Sequence, residues 1–162
     1  MPMEAERLQA AAAAPKGVAF EIRHLNASFA TFGAVIGFQA GMEPFARYDL
    51  GNFARALEFQ LSKGTNVAAI AGNRLVGYCG WLPTTHEIAA AWVDGAGQLT
   101  SAGADADAVA VTVVACREPS ALAPLIRRIR QANPGRRFYF KRQYADLGRR
   151  PRKTSVADIG PA

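Results

Sequence analysis

Apolar positions recur along the first part of the chain with a helical period. Leu25, Phe29, Phe32 and Ile36 follow one another at spacings of four, three and four, and this stripe predicts a helix over Glu21 to Gln39. Gly33 and Gly37 lie inside it. Each lowers helix propensity by about 1 kcal/mol, so a close packing partner is expected there. Gly41 and Pro44 break the chain into a loop, after which Asp49 or Asn52 can cap a second helix running to about Ser62. Phe53, Leu57 and Leu61 form its inner face, and Lys63-Gly64 is its stop.

The period then changes. Asn66 to Ala71 and Leu75 to Leu82 are short apolar runs joined by Gly72-Asn73-Arg74, the mark of a β-hairpin whose second arm ends at Pro83. Alternation along "RLVGYCGWLPTTH" puts Val76, Tyr78 and Gly80 on one side and Gly77, Cys79 and Trp81 on the other. Residues 84–92 are ambiguous, with room for a helical turn ending near Trp92, and 94–107 read as a flexible Gly/Ala/Ser/Asp loop. "AVAVTVVAC" (108–116) is a β-branched run, expected to be a central strand buried on both faces. Ser120 to Asn133 carries the inner stripe Leu122, Leu125, Ile126 and Ile129 and is the clearest helix. "RFYFKRQY" (137–144) alternates as a strand, and one more edge strand fits the "GRRPRKTSVADI" segment. The order is helix, helix, hairpin, strand, helix, strand. A strand–helix–strand unit wants a right-handed crossover between parallel neighbours, so the fold class is α+β with a mixed sheet, of N-acetyltransferase-like (GNAT-like) type.

At 162 residues this is one domain, expected over 18–160 behind a flexible tail at 1–17. The first residues carry Glu4 and Glu6 instead of the positive charge of a secretion signal, and no stretch reaches the roughly 18 apolar residues of a membrane span. Cytoplasm is the expected location. Cys79 and Cys116 lie in apolar runs without metal or disulfide spacing, and two histidines far apart in sequence give no zinc set. The net charge of +6 is uneven: residues 117–153 hold twelve Lys or Arg against Glu118 and Asp146 alone. Such asymmetry points to an acidic partner. The strand RFYFKRQY lacks the glycine pattern of an RNA-recognition strand, which disfavours nucleic acid.

The helix-rich start, "NVAAIAGNRLVGYCGW", "AVAVTVVACREPSALAPLIRRIRQ" and "FYFKRQYADLGRRPRKTSV" together resemble the RTX toxin-activating (hemolysin-activating) lysine acyltransferases, over most of the chain. The resemblance implies a variant acetyltransferase fold, toxin activation by lysine acylation, acyl-acyl carrier protein as donor and a protoxin lysine as acceptor. No tightly bound cofactor is implied. The basic third suits an acidic acyl carrier protein, and the resemblance gives Arg142 a counterpart in the last long strand. Two departures stand out. The family's catalytic histidine, next to an arginine matched by Arg47, has no counterpart in Glu43-Pro44-Phe45-Ala46-Arg47, and its catalytic aspartate aligns at about Thr112.

Candidate bases are therefore His86, just past the hairpin, and His24, near the first helix; each also fits an uninvolved surface position. Candidate substrate-binding groups are Arg47, Tyr78, Trp81, Arg117, Lys141 and Arg142, with the two aromatics lining an acyl pocket or simply filling the core. The turn Cys116 to Ser120 holds no glycine to let backbone N–H groups approach a pyrophosphate, which disfavours coenzyme A. The alternative function is a catalytically degenerate copy of the fold that binds or assembles an acidic partner. The oligomeric state is open, a homodimer included.

Overall fold

The computed structural model describes residues 17–141 with their side chains, together with the backbone of Arg142 and of 152–156. The expected tail before Gly17 and the strand's last residues, 143–144, lie outside them. The chain begins with a strand where the periodicity predicts helix: β1 (Glu21–Arg23) pairs antiparallel through Glu21–Ile70, Ile22–Ala69 and Arg23–Ala68. Three edge residues carry too little alternation to compete with the helical stripe that follows, and their pairing is a tertiary gain. Asn66 fixes the exit of β1, accepting from the Leu25 N–H at 2.9 Å and donating to the Leu25 carbonyl at 3.2 Å.

Helix α1 (Phe29–Ala40) starts only after Ser28, whose hydroxyl accepts from the Thr31 N–H. Gly33 and Gly37 depart from expectation: no atom stands within 4 Å of where a Cβ would lie. They face outward, and the helix carries their propensity cost through Val35 and Phe38, which are buried on the opposite side. Helix α2 (Leu50–Lys63) is capped by Asp49 and closed by Gly64 at φ 66°.

The hairpin follows as β2 (Asn66–Ala71) and β3 (Arg74–Thr84). Pro83 does not end β3. The β2 pairing stops at Asn66–Gly80, so Pro83 lies on a free edge where a missing N–H costs nothing. Helix α3 (His86–Asp94) fills the segment that the sequence left ambiguous, with Thr85 as its cap. The 94–107 loop is fastened by Thr84 Oγ1 donating to the Thr100 carbonyl at 2.7 Å and Ala102 N–H donating to the Pro83 carbonyl at 3.1 Å. Then come β4 (Ala108–Cys116), α4 (Leu122–Ala132), β5 (Arg137–Arg142) and β6 (Arg152–Val156).

The six strands lie side by side in chain order, antiparallel throughout except for the parallel pair β4–β5. Helix α4 covers one face, packing Leu125 and Ile129 on Val67, Cys79, Trp81, Val109, Val111 and Phe138. Helices α1 and α2 cover the other face through Val35, Phe38, Leu57 and Leu61 over Ala68, Tyr78, Val113 and Ala115. Helix α3 shares that second face, setting Ala89 and Val93 on Ala108 and Tyr139. Two bulges redistribute side chains. One skips Val76, which joins Cys79 and Trp81 under α4 instead of Tyr78 and Gly80. The other skips Thr112 between the pairs Gly80–Val113 and Trp81–Val111.

Candidate functional site

The parallel pair β4–β5 is short. It runs from Ala108–Arg137 to Val111–Phe140, while β4 continues to Cys116 and β5 to Arg142. The strands therefore part, leaving an opening between their C-terminal halves. Thr112 on β4 and Lys141 on β5 are the first residues past the last pair, and both belong to the face that carries α2 and α3. Because the second bulge skips Thr112, this residue has no strand partner on either side among the described residues. The end of the parallel pairing is where an inserted extended group could lie along β4.

Beside this point lies a buried polar chain. The Tyr78 hydroxyl, fully buried, donates to Gln60 Oε1 at 2.9 Å, and Gln60 Nε2 donates to Thr112 Oγ1 at 2.9 Å. Thr112 Oγ1 lies 3.3 Å from the Gly80 carbonyl, to which it donates. The Gln60 carboxamide passes directly over Gly80, where any Cβ would overlap it. Asn66 Nδ2 donates to the Gln60 carbonyl at 3.1 Å and anchors the end of α2. Desolvation, with a smaller contribution from Cys79, pushes the Tyr78 phenol above its usual range, so it stays a hydrogen-bond donor. Gln60 was not legible as functional because a glutamine on a predicted inner helix face carries no chemical signature. The glycine at 80, opposite a helix, was the available signal.

His86 lies at the closed end of the same strand pair. It opens α3, its N–H donates to Asp107 Oδ1 at 2.6 Å, and its Nδ1 meets the Tyr139 hydroxyl. Arg137 Nη1 lies 3.3 Å from His86 Nε2. A guanidinium only donates, so Nε2 is the acceptor in the contact with Arg137. Arg137 pairs with Ala108 and Tyr139 with Ala110, four and two residues before Thr112, about 13 and 7 Å along the strand. His24 is on the other face, its ring edge-on to Trp81 at 6.2 Å between centroids. The structure brings neither histidine to Thr112.

The basic candidates divide. Arg117 Nη2 donates to the Phe38 carbonyl at 3.1 Å and its guanidinium stacks 5.1 Å from the Phe38 ring centre, serving the C-terminal end of α1. Lys141 does the same for α3, donating to the Trp92 carbonyl at 3.3 Å with its ammonium 5.7 Å from the Trp92 ring centre. Arg47 pairs with Glu43 at 3.2 Å on the surface. The backbone of β5 and β6 sets Lys141 opposite Lys153 and Arg142 opposite Arg152, two like-charge pairs beside the opening; the Arg142 side chain lies outside the described residues. Tyr78 belongs to the polar chain and Trp81 to the core under α4. Burial first, then the Cys116 charge, pushes the Cys79 thiol up to about 12, and burial also raises Cys116, so neither is a ready nucleophile. Among the described residues no cluster of histidine, cysteine or carboxylate side chains could hold a metal, and no helix is long and apolar enough to cross a membrane.

The fold as a whole has counterparts among solved structures. The loading GNATL domain of CurA from Lyngbya majuscula matches with a TM-score of 0.53 at 10% identity, over 76% of this chain and 65% of that one. A GNAT-family acetyltransferase from Streptococcus agalactiae matches with a TM-score of 0.52 at 10% identity, over 82% and 80%. The fold is GNAT-like. A mosquito arylalkylamine N-acetyltransferase-like protein is similar too, with a TM-score of 0.51 at 13% identity over 76% of each chain. This chain thus spans under two thirds of the CurA domain and about three quarters or more of the other two. No protein-family model matches the sequence, and no curated protein matches it.

Proposed function

We propose that the chain is an acyltransferase of the toxin-activating type, moving a fatty acyl group from acyl-acyl carrier protein to a lysine amine of a protein. The observation that carries this reading is the opening beyond Val111–Phe140, where β4 reaches the bulged Thr112 past its last pair with β5. A phosphopantetheine arm is extended and carries two amides; laid there, it would take the place of a missing strand. The amine would attack the thioester carbonyl, forming the amide and releasing the carrier's thiol.

The backbone register of β5 and β6 sets Lys141 opposite Lys153 and Arg142 opposite Arg152, and a basic segment beside the opening supports an acidic carrier protein as donor. The glycine-free turn after β4 adds to this, since its short 3₁₀ segment, Pro119–Ala121, begins with a proline and offers few N–H groups for a pyrophosphate. The test incubates the protein with carrier protein loaded with acyl chains of several lengths and with lysine-bearing acceptor protein, read by intact mass. An acyl increment on the acceptor that weakens with added salt is expected. Salt-sensitive carrier binding without transfer from any donor, acyl-coenzyme A included, would establish the binding-module alternative instead.

A further inference from the structure

We propose that Gln60 is a positioning residue that fixes the Thr112 peptide at the opening between β4 and β5, and that residue 80 is glycine so that Gln60 can reach across β3 to do so. The kinetic consequence rests on the acyltransferase reading; the structural one does not.

Three observations converge. At Thr112 the pairing with β5 has just ended, and the bulge leaves this residue out of the β3 register, which resumes at Val113–Gly80. The extra residue of a bulge lies outside the ladder register, so its side-chain contacts help to set its position. Its hydroxyl has two described partners, Gln60 Nε2 at 2.9 Å and the Gly80 carbonyl at 3.3 Å. Gln60 is itself pinned at both ends of its amide: Tyr78 donates to Oε1, and Nε2 has Thr112 as its acceptor.

The orientation of the amide follows from the buried phenol proton. Gln60 is the described hydrogen-bond partner of the Tyr78 hydroxyl, so that proton is satisfied when it faces the amide oxygen, which turns the NH₂ group toward Thr112. Thr112 then spends its acceptor capacity on Gln60 and its proton on the Gly80 carbonyl. The chain Tyr78–Gln60–Thr112–Gly80 runs in one direction, each member donating to the next. Burial makes any broken link expensive, because the stranded group has no water to turn to. Gln60 is 3% exposed. The path of the side chain depends on the gap above Gly80: a Cβ there would overlap Oε1 and Cδ of Gln60 and lie 2.5 Å from Nε2. Alanine at 80 must therefore push the amide off Thr112.

In this reading, Gln60 and Gly80 touch neither donor nor acceptor. They set where the Thr112 peptide meets an acyl thioester, and a misplacement of about 1 Å there costs on the order of 100-fold in rate. The test compares Gln60→Leu, Gly80→Ala and the double variant Gly80→Ala/Gln60→Ala with wild type. Two readouts apply: steady-state transfer from acyl-loaded carrier protein, and hydrogen exchange at the Thr112 and Val113 amides of the folded protein. Expected for both single variants are a fall in kcat of about 100-fold with KM little changed and exchange at these amides about tenfold faster. Gly80→Ala should be no more impaired when Gln60→Ala is added, because both changes remove the same contact. Unchanged kcat in folded Gln60→Leu, or a loss confined to KM, would overturn the proposal. If wild type transfers from no donor, the acyltransferase reading falls and exchange alone decides: faster exchange supports the Gln60 clamp, and unchanged exchange overturns it.

Discussion

Two polar clusters sit on the same face of the same strand pair and behave in opposite ways. At the closed end, His86, Tyr139, Arg137 and Asp107 form a contact set that reaches the surface, with His86 exposed although Tyr139 is buried under α3. At the open end, Tyr78, Gln60 and Thr112 form a directed chain whose tyrosine and glutamine are buried. The first has the residue types that suggest catalysis and lies where the strands are zipped. The second has no group that titrates near neutrality and lies where they part. Residue chemistry alone thus points to one end of the sheet, and the end of the strand pairing points to the other.

The contrast is open to direct attack. The largest effect is expected from Tyr78→Ala, which removes a fully buried ring from the core under α1 and α2; urea denaturation should show a loss of about 3–5 kcal/mol. Tyr78→Phe and Tyr139→Phe delete the same atom at the two ends. The first strands Gln60 Oε1 in a dry site and should cost about 1–3 kcal/mol; the second leaves its histidine partner facing solvent and should cost no more than about 1 kcal/mol. Equal costs would erase the distinction between the clusters. His86→Ala should move stability by no more than about 0.5 kcal/mol and leave transfer intact, whereas abolished transfer in a folded His86→Ala protein would return catalysis to the closed end.

The smallest effect concerns pH. The folded state raises Tyr78 and Cys79 above their ordinary values of 10.0 and 9.0. Their contribution to stability is therefore full below about pH 9 and is lost as pH rises, because the unfolded chain then gives up protons that the folded chain keeps. Thermal melts should show Tm falling above about pH 9, with a shallower fall in Tyr78→Phe.

The sequence made much of this architecture legible where the pattern was long and uninterrupted. The hairpin, the β-branched strand and the helix carrying Leu125 and Ile129 all emerge at or near their observed limits, although Leu122, expected on the inner stripe, is exposed at the first turn. The misses have local causes. β1 is three residues long and gains its identity from Ala68 to Ile70, far along the chain. Val76 changes face because a bulge inserts one residue into a period of two. Gly33 and Gly37 were expected to mark a contact, yet they stand on the open side of α1. For the site, Tyr78 and Thr112 drew notice for other reasons, while Gln60 was invisible until the helix carrying it crossed the sheet.

The empty space above Gly80 has a consequence for descent. A side chain at 80 and a long amide at 60 exclude each other, so neither position is free to drift while the other stays. In related sequences that keep the bulge, glycine at 80 should accompany glutamine at 60, and any larger residue at 80 should appear only with a short one at 60. Thr112 should then lose its hydroxyl in those lineages, since its partner would be gone. The three positions would be inherited as one unit, although 20 residues separate the first two and 32 the last two.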